Sequence, residues 1–272
     1  MAVTMAEIQK LRTMTGAGMM DCKNALTESN GDLEKAIELI RKRGQAIAAK
    51  RSDREAAEGC VLAAANKDFA AIVALKCETD FVAKNADFIA LTQQILDNAM
   101  ASQPNSIDEL LSISVDGRSI KDLITDKSGV TGEKMELGFY ESVKGESVAF
   151  YIHPGNKLAT VLAFAETGVD AQISREIAMQ VAAMNPIALD RNSVPAEVVE
   201  KELEIGREKA RQEGKPEAIL DKIAQGRLNK FYQESTLMEQ EFIMDNKQTV
   251  GQYAKANNVT PVAFKRVTLN EE

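Results

Sequence analysis

The chain has 272 residues, of which 44% are hydrophobic and 27% are charged, a composition typical of a folded protein. This length allows two or three structural units. No apolar run approaches the ~20 residues that a transmembrane helix needs, and the first residues lack the apolar stretch of a signal peptide. Cys22, Cys60 and Cys77 are odd in number and lie outside metal-binding spacings, which indicates thiols of a reducing compartment. Together these features predict a cytoplasmic protein without a membrane anchor.

The charge distribution bears on the kind of partner. The chain carries 41 acidic and 33 basic side chains, a formal net charge of −8. Residues 1–55 hold 10 basic and 8 acidic side chains, whereas the remainder holds 23 basic and 33 acidic ones. Proteins that bind a phosphate backbone normally present a basic face, because counterion release supplies much of their affinity. Neither part has such a composition, so we expect a protein partner and no direct nucleic-acid binding.

Residues 4–43 have the pattern of three short helices. Thr4 and Glu7 form a capping box before the first apolar stripe. Glycines then break the chain near residue 16, and an Asn-Gly turn near residue 30 precedes the third helix. Gly44 is predicted to end that helix. Residues 45–58 carry charge without a strong apolar stripe and are predicted to be a linker that is partly helical.

Beyond residue 58 a hairpin-then-helix pattern occurs twice. Period-two segments at 61–75 flank a turn and precede a helical segment, and the same pattern returns at 147–165. Placing Glu78 over Glu166 aligns both hairpins at an offset of 88 residues. This is a weak internal repeat. Met135–Val143 is predicted to be an additional strand beside the second hairpin.

The remaining segments complete the prediction. Residues 102–130 look irregular, with one short helix at Ile120–Ile124. A charged helical hairpin at 196–230 turns at Gly214-Lys215-Pro216, and the chain closes with a helix and a strand at Val262–Leu269. We therefore predict an α+β fold with antiparallel sheets. Its parts are a three-helix N-terminal domain with linker, a first core subdomain, a second core subdomain in two pieces and the inserted helical hairpin: 1–55, 56–143, 144–195 with 231–272, and 196–230.

The sequence offers no recognisable catalytic centre. His153 is the only histidine and falls on a predicted hairpin turn, where a surface or contact role is favoured over catalysis. The chain has no HExxH, paired CxxC or EF-hand motif, so neither a metal nor a cofactor is predicted. Thr15-Gly16-Ala17-Gly18 lacks the spacing and the preceding strand of a phosphate loop. The pattern favours a protein that is not an enzyme.

Apolar side chains stand out at two positions. Met19 and Met20 are adjacent on a short helix and cannot both point fully inward. Methionine at an adaptable surface often serves recognition, but burial of one of the pair is equally compatible with the pattern. Phe81 follows Asp80 between a strand and a helix. It either caps the local core or projects as a wedge, and the sequence pattern leaves both open.

Four segments resemble the elongation factor Ts family in the same order along the chain. They are the segment from Thr15 to Lys23 (TGAGMMDCK), the segment from Cys77 to Asn85 (CETDFVAKN), Gly214-Lys215-Pro216 through Gly226-Arg227-Leu228, and Thr249-Val250-Gly251-Gln252. The resemblance implies that the N-terminal domain is ubiquitin-associated-like. It also implies a partner, the GTPase elongation factor Tu, and a task, the release of its GDP.

The resemblance further implies roles for individual residues. Arg12, Met19 and Met20 would contact a helix of the GTPase domain. Asp80, Phe81, Val82 and Ala83 would disturb the partner's Mg²⁺ site and switch region, with Phe81 entering between two partner helices. His153 matches a family histidine on the second hairpin that touches another partner domain.

Other expectations concern the C-terminus, self-association and rival functions. The chain ends at Asn270-Glu271-Glu272, so the additional C-terminal helix of many relatives, and its partner contact, are not expected. The region from Pro195 to Lys230 resembles one used for self-association in some relatives, which leaves a homodimer possible.

Two alternative functions remain. One is a non-catalytic adaptor that uses the N-terminal helices, and the other is a small-molecule enzyme that uses a cleft between the repeats.

Overall fold

The N-terminal segment folds as three helices around a small apolar core. The computed structural model describes residues 3–270, and its first helices are α1 (Met5–Thr15), α2 (Met19–Glu28) and α3 (Leu33–Lys50). The capping box at the start of α1 is present, because the Thr4 N–H donates to Glu7 at 2.8 Å and the Glu7 N–H donates to the Thr4 hydroxyl at 3.3 Å. The buried side chains of this core are Ile8, Leu11, Ala17, Cys22, Ala25, Leu26 and Ala36.

The prediction that Gly44 ends the third helix is wrong. α3 continues six residues further, to Lys50, and residues 51–57 then lead to the first strand. Gly44 is buried where α3 lies against α7 (Ile120–Thr131). A Cβ placed on Gly129 of α7 would lie 2.2 Å from the Cα of Gly44. Gly44 is therefore a packing residue that lets two helix backbones approach closely.

The first sheet holds three strands, β1 (Glu58–Ala65), β2 (Phe69–Cys77) and β5 (Glu136–Lys144), in the order β1-β2-β5. The prediction that this strand lies beside the second hairpin is wrong, since β5 borders β2. After β2 come a one-turn helix, α4 (Asp80–Ala83), and a long helix, α5 (Ala86–Ser102). α5 buries six side chains: Phe88, Leu91, Thr92, Ile95, Leu96 and Ala99.

Residues 102–130 are more regular than predicted. They contain α6 (Ile107–Ser112), a small hairpin of β3 (Ser114–Val115) and β4 (Arg118–Ser119), and the twelve-residue α7. Serines cap both helices: Ser106 accepts from the Glu109 N–H and Ser119 from the Asp122 N–H. A serine followed three residues later by an acidic residue is a helix-start signal. The helix predicted at Ile120–Ile124 is therefore present but extends to Thr131, whereas α6 was not predicted despite its serine cap.

The second sheet consists of β6 (Ser147–Ile152), β7 (Leu158–Phe164) and β10 (Pro261–Thr268), in the order β10-β7-β6. Both pairings are antiparallel, and β7 is buried along its whole length. α8 (Ala171–Met184) contributes Ile177, Ala178 and Val181 to the core that also takes Leu162 and Phe164 from β7.

A helical hairpin follows. α9 (Ala196–Gln212) and α10 (Leu220–Ser235) pack against each other, with Gly206 close to Ala224. Gly214, in the left-handed region at φ 73°, lies in the turn between them. The chain then forms β8 (Glu241–Phe242), β9 (Asp245–Thr249) and α11 (Val250–Ala256) before β10.

The two three-stranded sheets share one hydrogen-bonding device. In each, the third strand borders the second strand of the hairpin. Glu78 accepts a 2.7 Å hydrogen bond from the N–H of Lys134, two residues before β5. Glu166, at the equivalent point after the second hairpin, accepts a 2.7 Å bond from the N–H of Thr260, directly before β10. The two hairpin-then-helix repeats, which we call the first and second half, are thus similar in their hairpins and also at the entry of the third strand of each sheet.

The fold is α+β, and the chain forms two compact units. The first comprises the described residues up to Leu62, Val73–Tyr140 and the residues from Leu269, and the second comprises Ala63–Ile72 and Glu141–Thr268. Within residues 3–270 no helix is both long and apolar enough to cross a membrane. The C-terminal Glu271 and Glu272, part of the expectation about the chain end, lie outside the described residues.

The close approach of Gly44 in α3 and Gly129 in α7 can be tested by substituting each glycine in turn, with Gly44→Ala as the control for Gly129→Ala. Gly129→Ala should lower the free energy of unfolding by about 1–3 kcal/mol, because the added methyl overlaps the Gly44 backbone. This loss outweighs the gain of about 1 kcal/mol in helix propensity. Gly44→Ala meets Gly129 only at 3.4 Å, an ordinary contact, and should be neutral or stabilising. Thermal unfolding of both variants checks this, and equal melting temperatures would contradict the close crossing.

Candidate protein-interaction site

Phe81 is the most exposed large apolar side chain described in the structure. It lies on the one-turn helix α4, and 84% of its surface is accessible. Its neighbour Val82 is half-buried, and Ala83 is buried. The alternative that Phe81 caps the local core is therefore wrong. A phenylalanine held outward in this way is a candidate for insertion into a partner.

A single carboxylate fixes the backbone that leads into α4. The side chain of Glu133 accepts hydrogen bonds from the N–H of Glu78 at 3.1 Å, from the N–H of Thr79 at 3.0 Å and from the Thr79 hydroxyl at 2.6 Å. The Thr79 hydroxyl oxygen also accepts from the Val82 N–H at 3.4 Å, as the N-cap of α4. We call this set of bonds the Glu133 anchor.

Glu78 in turn accepts a hydrogen bond from the backbone beside Glu133. Its carboxylate accepts from the N–H of Lys134 at 2.7 Å and from Arg51 Nη1 at 3.0 and 3.1 Å, with Arg54 at 3.9 Å. The backbone bond from Lys134 is the largest cause that lowers the pKa of Glu78, and both arginines add to it while burial opposes it. The Glu78 side chain is only 13% exposed. The Glu78–Thr79 segment and the Glu133–Lys134 segment are therefore joined in both directions. A carboxylate of each segment accepts hydrogen bonds from backbone N–H groups of the other.

Asp80 lies beside Phe81 and is engaged locally. Its carboxylate accepts a 2.7 Å bond from Lys84 Nζ, one helical turn away. That bond lowers the pKa of Asp80. Both side chains are well exposed, and pairs of this kind contribute little to stability. The Asp80 carboxylate can therefore leave Lys84 for another cation at small cost.

The predicted N-terminal contact residues all lie on the surface. Met19 is 40% exposed and Met20 64%, so the alternative that one of them is buried is wrong. Both lie in the first turn of α2, and Arg12 is exposed in the last turn of α1. The turn between these helices begins at Gly16, in the left-handed region at φ 68°. Two short helices thus present a basic residue and adaptable apolar groups at the surface.

His153 lies in the second unit, directly after β6, and is exposed. Its Nδ1 is 3.1 Å from the hydroxyl of Tyr151, and the two rings meet edge to face with centroids 6.0 Å apart. Arg175 of α8 lies over the Tyr151 ring at 5.6 Å. The histidine is thereby oriented by its neighbours while its other ring edge is presented at the surface.

Residues 3–270 offer few groups suited to metal binding, thiol chemistry or small-molecule binding. They contain no group of three or more His, Cys, Asp or Glu placed to hold a metal ion, and the three cysteines are buried and form no disulfide. A cavity of about 250 Å³ lies in the first unit, bordered by α3 and α7. Its lining mixes aliphatic side chains with arginines and aspartates, and its Asp126 carboxylate is bound by Arg118.

Comparison with known proteins identifies the family. The sequence profile described as "Elongation factor TS" matches residues 78–271, a span that begins at the Glu78 of the site. This chain belongs to the elongation factor Ts family. Over its full length it is 62% identical to "Elongation factor Ts" of Porphyromonas gingivalis, with 100% of both chains covered. It is 52% identical to the protein of that name from Azobacteroides pseudotrichonymphae and 45% identical to the one from Phocaeicola vulgatus, again with full coverage of both chains.

The sequence resemblance to elongation factor Ts is thereby confirmed. Membership of this family implies a nucleotide-exchange role in translation elongation, with elongation factor Tu as partner. The family profile covers Phe81 and His153, while Arg12, Met19 and Met20 precede it and are covered by the full-length relatives.

The pKa of Glu78 generates a pH-dependent prediction. Because the folded pKa lies below the unfolded value near 4.5, the stability contribution is present above that value and is lost as pH falls through the folded pKa. Glu78→Gln should therefore destabilise the protein at pH 7 and narrow its gap to wild type as pH falls below about 4.5. Thermal unfolding between pH 3 and 7 measures this, with the exposed Glu55→Gln as charge control. A constant gap across that range would contradict it.

Proposed function

We propose that this chain is a guanine-nucleotide exchange factor that binds elongation factor Tu·GDP, disturbs its Mg²⁺ and phosphate site and promotes GDP release so that GTP can bind. The segment Asp80–Ala83 performs the disturbance, with Phe81 entering between two helices of the partner. The observation that carries the proposal is the exposure of Phe81 on a base fixed by the Glu133 anchor. Family membership supports the identity of the partner.

Exchange needs differential affinity and no acid or base. GDP is held by backbone donors, a lysine and a bridging Mg²⁺, so displacement of the metal removes much of the charge compensation for the phosphates. A factor that binds the nucleotide-free state more tightly shifts the partner toward it. Burial of one phenylalanine in a groove open only in that state supplies about 1.5–3 kcal/mol. By linkage, GDP weakens factor binding by the same ratio that the factor weakens GDP binding.

Two further contacts complete the proposed interface. Arg12, Met19 and Met20 dock on a helix of the GTPase domain, and their exposure on short helices supports this assignment. His153 touches another domain of the partner from the turn after β6. Docking through these groups supplies affinity that is independent of the wedge, which separates binding from exchange.

The proposal includes the domain roles predicted from the sequence. Residues 1–55 act as a ubiquitin-associated-like docking domain. Residues 56–143 form the core subdomain that carries Phe81, and residues 144–195 with 231–272 form the one that carries His153. The helical hairpin at 196–230 is a candidate for self-association, and the protein acts in the cytoplasm.

Phe81→Ala should damage exchange and leave folding intact. Because the side chain is 84% exposed, its truncation should change the melting temperature little, whereas burial would have predicted a loss of about 3–5 kcal/mol. GDP release from elongation factor Tu should slow at least about tenfold at a fixed factor concentration. Stopped-flow release of fluorescent GDP measures this. Phe139→Ala, which truncates another exposed phenylalanine, is the matched control.

Three results would change the assignment. Normal release by a folded Phe81→Ala variant would defeat the wedge. Binding of the wild-type protein to elongation factor Tu without any release of GDP would favour the adaptor alternative. Absence of both binding and release would remove this partner altogether.

Met19→Ala with Met20→Ala should weaken partner binding while the fold is retained. Both side chains are exposed, so the double change removes contact area without opening the α1–α3 core. We expect the Kd to rise about tenfold or more, which corresponds to loss of one well-buried contact at an interface. Isothermal titration with elongation factor Tu measures the Kd. The double variant Met5→Ala with Met14→Ala, which removes exposed methionines of the same domain, should bind normally. If both double variants bind alike, the contact is assigned wrongly.

A further inference from the structure

The Glu133 anchor joins segments that are far apart in sequence. One carboxylate satisfies two consecutive backbone N–H groups and one hydroxyl, 54 and 55 residues away, directly before α4. α4 has four residues, too few to be stable as an isolated helix. The direction of Phe81 therefore depends on what holds the two ends of this turn. On the C-terminal side, Ala83 is buried and Asn85 caps α5. On the N-terminal side, the Glu133 anchor holds the chain.

Glu133 is itself fixed by its surroundings. Its carbonyl accepts a 2.5 Å bond from the hydroxyl of Ser128, which is 2% exposed. Gly132, in the left-handed region at φ 73°, ends α7 immediately before it. α7 in turn packs against α3 through Gly129. The carboxylate thus projects from a constrained turn at the end of a packed helix.

The second sheet lacks an equivalent of this anchor. Glu166 corresponds to Glu78 and accepts bonds from the N–H and the hydroxyl of Thr260. In the first half, the residue before Lys134 is Glu133. In the second half, the residue before Thr260 is Val259, a buried aliphatic side chain. The entry of the third strand therefore does not require a second carboxylate, and the anchor occurs in the half that carries Phe81.

We propose that Glu133 is a positioning residue for exchange, which acts by holding Thr79 and α4 so that Phe81 is presented in one direction. This inference rests on the proposed function of Phe81. Without the carboxylate, the N–H groups of Glu78 and Thr79 lose their partner and the Thr79 side chain loses its bond to Glu133. Phe81 then samples several directions, and ordering it on the partner costs conformational entropy. The fold itself retains the Glu78 bond to Lys134.

The positioning can be measured without the partner. The chain contains no tryptophan, so Phe81→Trp introduces a single fluorescent reporter at the wedge position. In this background, Glu133→Ala should increase the amplitude of fast anisotropy decay well below the melting temperature. Glu133→Gln, which retains one acceptor oxygen, should give an intermediate amplitude. The exposed Glu55→Ala is the control and should match the parent. Unchanged decay in Glu133→Ala would overturn the positioning role.

A double-mutant cycle tests the link to exchange. With Phe81 in place, Glu133→Ala should slow GDP release about tenfold, the effect expected for loss of a charge-assisted hydrogen bond. Combined with Phe81→Ala it should add nothing further, because the anchor acts through that side chain. A merely structural role would slow release equally in both backgrounds and would lower the melting temperature in parallel. Additive effects would therefore overturn the proposal.

The two tests separate failure of this inference from failure of the proposed function. If Phe81→Ala releases GDP normally, the proposed function fails, and the anisotropy result still decides whether Glu133 positions the side chain. If Phe81→Ala is slow and Glu133→Ala is normal, the wedge stands and the positioning role is wrong.

Discussion

Reciprocal hydrogen bonds between glutamate side chains and distant backbone N–H groups determine the local structure on which the candidate site depends. Glu78 accepts from Lys134 and Glu133 accepts from Glu78 and Thr79, so two turns that are far apart in sequence hold each other. Hydrogen bonds to an ionised acceptor are stronger than neutral ones, and each satisfies a backbone donor that the strand and helix ends leave without a regular partner. The negative charge of Glu78 is balanced by the guanidinium group of Arg51.

This arrangement explains how an apolar side chain can be displayed on a surface. A phenylalanine on a flexible loop would collapse onto neighbouring apolar groups or sample many directions, and ordering it on a partner would then cost free energy. Phe81 lies instead on a turn whose entry is held by Glu133 and whose exit is held by the burial of Ala83. The exposed methionines of α2 differ from Phe81, because a methionine side chain is flexible and adapts its shape to the surface it contacts. The proposed function thus combines a directed wedge with an adaptable docking surface.

The two halves show which bonds serve the fold and which serve the site. Glu78 and Glu166 occupy equivalent places and both fix the entry of a third strand, so that bond belongs to the architecture. Glu133 has a buried valine as its counterpart, so its carboxylate is additional to what the architecture needs. The glycine contact between α3 and α7 is a further specialisation of the first unit, since it brings α7, and with it Glu133, against the N-terminal helices.

Much of this protein could be predicted from its sequence because the signals are local. Capping residues and apolar spacing gave the three N-terminal helices and both hairpins, and contiguous motifs gave the family. The helix at 107–112 was missed, and the helix predicted at 120–124 extends to residue 131, although a serine cap marks the start of both in the sequence. Other features depend on contacts between residues distant in the chain. Gly44 has the pattern of a helix stop, yet α3 continues because Gly129 packs there, and β5 pairs with β2 because sheet register is decided by tertiary packing. Sequence alone could not decide whether Phe81 faces the core or solvent, since that depends on how the one-turn helix α4 packs in the tertiary structure, where Ala83 and not Phe81 takes the buried position.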